Sequence, residues 1–68
     1  MKVTVDSTDY RNTHGHSPEG NGNWVFYRWL NQRMQTVAAV GPMNYSEAKA
    51  EAVDFARIYG ISEIFVGS

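Results

Sequence analysis

The chain has no cysteine, only two prolines and a formal net charge of −1 over 68 residues. Without cysteine, no disulfide framework can supplement a small core. Without a basic excess, the general affinity that phosphate neutralisation gives to nucleic-acid binders is missing. Arg28, Arg33 and Arg57 are too scattered to restore it as a local patch, so direct nucleic-acid binding is disfavoured. No apolar run approaches the length of a membrane-spanning helix. The opening MKVTVDSTDY carries no apolar signal segment. The expected location is the cytoplasm, with no membrane partner.

Signals for chemistry are equally scarce. His14-Gly15-His16 offers two imidazoles, but a zinc site needs one or two further ligands. Asp9 and Glu19 stand nearby in no recognised spacing, so a solvated loop outweighs a metal site. A hydrolytic centre would need a nucleophile, a base and an orienting group within reach of one another. Nothing in the order of Asp6, Ser7, His14, His16 and Ser17 implies that. GHSPEGNG does not sit between a strand and a helix in phosphate-loop spacing, and turn chemistry accounts for its glycines. The expectation is a protein that is not an enzyme and takes no cofactor or metal.

What is present is an ordinary globular composition, 43% hydrophobic and 19% charged. At this length it makes one domain, 1–68, with a modest core. KVTVD alternates and predicts a short strand over Lys2–Asp6, with Val3 and Val5 facing one way. A polar stretch at about 7–23 predicts a long loop. Trp24–Leu30 and Met34–Val40 predict a hairpin around Asn31–Arg33, ended by Gly41-Pro42. Asn44-Tyr45-Ser46-Glu47 has the layout of a capping box before EAKAEAVDFARIY, rich in helix formers. Gly60 is placed for a left-handed stop, and Ile61 for its apolar contact. SEIFVG predicts a last strand. The fold class is therefore α+β: a small three- to four-stranded, mainly antiparallel sheet with one helix on one face, in the order β-β-β-α-β.

Helical spacing puts Ala48, Ala52, Phe55, Ala56 and Tyr59 on the core side. Glu47, Glu51, Asp54 and Ile58 fall opposite. That row is an acidic stripe with an apolar end. Its simplest reading is a solvated face, and its functional reading is a contact for a partner rich in Lys and Arg.

The strand NWVFYRWLN is apolar on both faces, and one helix can cover only one of them. If Val25, Tyr27 and Trp29 face the helix, Trp24, Phe26, Arg28 and Leu30 are left outside. The opposite phase would put Arg28 under the helix, at a cost of several kcal/mol, roughly, for an unpaired charge. That favours the first phase, although an arginine at a strand end can snorkel out. Either phase leaves aromatic side chains on the uncovered face. They mark a binding surface unless the loop folds over them, which Tyr10 and Pro18 could do. The partner-binding candidates are Trp24, Phe26 and Arg28 on the sheet, and Glu47, Glu51, Asp54 and Ile58 on the helix.

The succession KVTV, NWVFYRWLN, MQTVAAVG, SEAKAEAVDFARIYG and EIFVGS resembles small phage-encoded inhibitors, in particular anti-CRISPR proteins of type I systems. It is also similar to a phage inhibitor of bacterial RNA polymerase. The resemblance is one of size, order and composition, and it transfers no functional residue. It implies a non-enzymatic protein in an infected bacterial cytoplasm. Such a protein would bind a host protein or protein–nucleic acid complex and block DNA recognition or nuclease recruitment. Two other readings stand beside it. One is a homodimer through the uncovered sheet face. The other is a single-strand nucleic-acid binder that stacks bases on Trp24, Tyr27 and Trp29.

Overall fold

The computed structural model describes residues 2–67. These form β1 (Thr4–Asp6), α1 (Thr8–His14), β2 (Asn21–Leu30), β3 (Arg33–Asn44), α2 (Tyr45–Ile58) and β4 (Glu63–Val66). The strands make one sheet in the order β1-β4-β2-β3. β2 is antiparallel to both β3 and β4, while β1 runs parallel to β4. The fold is thus α+β with a mainly antiparallel sheet, in the order β-α-β-β-α-β. α2 carries the chain from edge strand β3 across β2 to β4, so one face of the sheet is covered.

The boundaries of α2 follow the sequence signals. The Asn44 side chain accepts the Ser46 N–H at 2.9 Å, satisfying one of the first-turn donors. At the other end Gly60 has φ +70°. Ile61 N–H donates to the Ala56 carbonyl at 2.8 Å and Gly60 N–H to the Arg57 carbonyl at 3.3 Å. These are the paired bonds of a Schellman stop, and Ile61 is buried behind them.

The predicted loop at 7–23 is corrected: its first half is α1, and β2 already begins at Asn21. The Asp6 carboxylate accepts the Thr8 N–H at 2.8 Å, which starts the helix. Gly15, at φ +77°, ends it by donating to the Arg11 carbonyl. Tyr10 is the side chain that α1 buries. The hairpin turn is Asn31-Gln32, both at positive φ, as a two-residue primed turn requires.

Gly41-Pro42 does not end β3 as expected. The strand continues to Asn44 along the sheet edge, through a register shift against β2. A proline fits there because the site is irregular and at an edge. Gly41 is needed because a Cβ would come within 2.7 Å of the Gly22 carbonyl oxygen and 2.8 Å of Asn23 Cα. A second shift, between Phe26 and Tyr27, leaves Val37 as an extra residue. Val37 and Ala38 consequently both pack toward the core.

Candidate functional site

The phase of β2 decides which side chains are available. Trp24 and Phe26 belong to the core with Ala48, Ala52 and Ala56 of α2, and with Ile64 and Val66 of β4. They are 5% and 0% exposed. The expectation that Val25, Tyr27 and Trp29 face the helix is therefore corrected, and Trp24 and Phe26 cannot meet a partner. The physical reason is complementarity of size. Three alanines in successive turns let α2 approach closely, and the large rings of β2 fill the space beneath it. Trp24 Nε1 donates to the Met43 carbonyl at 3.0 Å. The Tyr45 ring lies edge-on to Trp24 at 4.9 Å, and Tyr10 approaches it at 5.7 Å. The segment before β2 thus does cover an aromatic, but on the helix side.

Arg28 avoids the burial cost that weighed against this phase. It is half-buried at the far end of α2, where its Nε donates to Gln35 Oε1 at 2.6 Å. It is the snorkelling arrangement. Phe55 and Tyr59 do not fill the core as their spacing suggested. They stack on each other at 6.0 Å, both exposed, and line a shallow groove with Arg28, Val37 and Ile61. The structure so brings Arg28 beside the end of α2. Glu47, Glu51 and Asp54 are exposed along the outer side of the helix, and Ile58 is 77% exposed. Asp54 makes a loose contact with Arg57 at 3.8 Å. These acids and the open sheet face lie on opposite layers.

The open face carries Val25, Tyr27 and Trp29 of β2, with Thr36 and Met34 opposite the last two on β3, and Phe65 beside Tyr27 on β4. Trp29 is 55% and Met34 61% exposed. Tyr27 stacks on Phe65 at 5.5 Å and meets Trp29 edge-on at 5.9 Å. These contacts hold the rings in place within the chain itself. The exposed apolar side chains point to an interaction surface here. Sequence reasoning missed Trp29 as part of this face, because the other phase of β2 turned it toward the helix.

One margin of this face is acidic. Asp6 and Glu63 belong to the same side of β1 and β4 by register with Phe65 and Thr4. From α1, Asp9 accepts the Tyr27 hydroxyl at 2.5 Å. Burial pushes the Tyr27 phenol up to about 12, with smaller contributions from the hydrogen bond to Asp9 and the negative charges of Asp9 and Asp6. The hydrogen bonds to Thr8 hold Asp6 below the ordinary carboxylate range, and Arg11 nearby contributes.

His14 stacks on Tyr10 at 4.1 Å and His16 meets the same ring edge-on at 5.9 Å. Together the two imidazoles sheathe Tyr10. Among the described residues no helix is long and apolar enough to cross a membrane. Comparison with protein families, characterised proteins and solved structures finds no match.

Proposed function

We propose that this chain is a non-enzymatic protein-binding inhibitor whose contact surface is the open sheet face. The observation that supports it is the Trp29–Met34 cross-strand pair, exposed on a rigid aromatic base of Tyr27 and Phe65. Interface hot spots are enriched in Trp, Tyr and Arg held in this way. Asp6, Asp9 and Glu63 beside the apolar centre suit a partner with basic residues around an apolar patch. They oppose phosphate, which argues against stacking single-stranded nucleic acid on Trp29.

The target is a host complex that handles DNA, of the kind that the likeness to anti-CRISPR inhibitors implies. A type I surveillance complex presents basic channels that such a face would occlude, blocking DNA recognition. The test is target-DNA binding by a purified type I surveillance complex in the presence of this chain. Wild type is expected to prevent DNA binding, and Trp29→Ser to restore it. If wild type leaves DNA binding by such complexes unchanged, DNA recognition is not the step it blocks, and unchanged DNA cleavage after nuclease addition would show that the target is wrong. If Trp29→Ser inhibits fully while Glu51→Lys or Ile58→Asp does not, the contact surface is the helix and not the sheet.

A further inference from the structure

We propose that the groove at the C-terminal end of α2 is a second docking site, which takes a carboxylate side chain of a partner protein together with the apolar side chains that flank it. The groove lies on the helix side of the sheet, away from the open face. The exposed Phe55–Tyr59 stack forms its wall on α2, and Gln35 and Val37 form its wall on β3. Buried Ile61 and half-buried Arg28 complete the lining. It encloses about 400 Å³, room for a few side chains but not for a folded element.

Two properties of this groove suit an anion with apolar neighbours. The first is the charge of Arg28. Its Nε is committed to Gln35 Oε1 at 2.6 Å, and among the described residues no carboxylate pairs with the guanidinium. Glu63 lines the adjoining hollow with Arg28 but makes no ion pair with it, and Asp54 is turned to Arg57. The bond to Gln35 orients the guanidinium and leaves its terminal N–H groups for a carboxylate, which accepts them as a pair. A half-buried cation gains more from a counter-ion than a fully hydrated one, because the surrounding dielectric is lower.

The second property is the apolar end of α2. Phe55, Ile58 and Tyr59 are all exposed, at spacings that make them neighbours on the helix surface. An apolar side chain laid on the stacked rings would also exclude water from the guanidinium–carboxylate pair and strengthen it. The occupant that matches both properties is a peptide segment with Asp or Glu between large apolar residues. A nucleic acid matches neither. Its repeated phosphates need several cations, and Asp54 and Glu63 flank this groove on α2 and β4. The site does not depend on the inhibitor reading or on the open face.

NMR titration of the full chain tests it, with acetyl-Gly-Leu-Glu-Leu-Gly-amide as probe and the same peptide with Gln in place of Glu as control. The Glu peptide is expected to move the Arg28 Nε, Phe55 and Tyr59 signals saturably at low-millimolar concentration, and the Gln peptide to bind at least tenfold more weakly. Arg28→Gln is expected to weaken the Glu peptide at least tenfold, and Tyr59→Ser several-fold. Should Arg28→Gln not fold, the two peptides on wild type decide alone. Equal affinities for the two peptides, or no movement at Arg28 and Tyr59, overturn the inference. Movement confined to Trp29 and Met34 does so too, since the open face would then be the site. Phe55 and Tyr59 signals that shift with the chain's own concentration would make the occupant a second copy and overturn it. A short oligothymidylate that moves Arg28 more than the Glu peptide does would have the same force. None of these outcomes involves a surveillance complex, so failure here is distinct from failure of the inhibitor reading.

Discussion

The Tyr27 hydroxyl donates to the Asp9 carboxylate at 2.5 Å and ties α1 to the open side of the sheet. The ring is buried while the carboxylate remains exposed, so the bond joins a fixed donor to a hydrated acceptor. Burial of the ring, with a smaller contribution from this bond, keeps the phenol neutral. Tyr27 ionises at about 12 when folded, against 10.0 for the free group. Because the folded value is the higher one, this stabilisation is complete below pH 10 and is lost as pH rises toward 12. Tyr27→Phe is expected to cost about 1 kcal/mol at neutral pH and to flatten the loss of stability between pH 10 and 12. Urea unfolding of both proteins at several pH values checks it. Parallel stability curves for the two proteins would show that Tyr27 does not contribute in that window.

Gly41 permits the close crossing of β3 and β2 at the register shift between Gly22 and Trp24. Its φ of +134° and the 2.7 Å approach of a Cβ to the Gly22 carbonyl oxygen act together. Gly41→Ala is expected to destabilise by about 3 kcal/mol, measured as a shift in the denaturation midpoint. Gly20→Ala, also at positive φ but with nothing within 4 Å, should cost about 1 kcal/mol.

The alanine face of α2 sets the depth at which Trp24 and Phe26 sit. Ala52 is fully buried at its centre. Ala52→Leu is expected to cost about 1–3 kcal/mol by overpacking, even though leucine is an excellent helix former. At Lys49, exposed on the same helix, the substitution Lys49→Leu should change stability by less than about 0.5 kcal/mol. Equal thermal midpoints for the two variants would contradict this packing.

Much of this architecture was legible in the chain because it is written in local signals. Asn44 and Gly60 bracket α2 by cap chemistry alone, and Val3 and Val5 face the core together as expected. α1 was not legible, because a seven-residue helix that buries only Tyr10 shows no period. Its start at Asp6 and stop at Gly15 were the available clues. The continuation of β3 past Pro42 depends on a non-local fit to Gly22 and Asn23. The candidate surface turned on Arg28. An isolated charge on an apolar strand usually marks the wet side, but α2 ends early enough for Arg28 to reach water from the covered side. The bulge at Val37 adds a change of phase in β3 that no count of alternating residues reveals.

The most direct measurement is fluorine NMR of the chain labelled with fluorotryptophan at its two tryptophans, using a soluble paramagnetic agent. The expected result is strong broadening of the Trp29 signal with Trp24 spared, and protection of Trp29 when a purified type I surveillance complex is added. A Trp24 signal that broadens first would contradict the phase of β2. A Trp29 signal still open to the agent in an inhibited complex would contradict the open face as the contact surface.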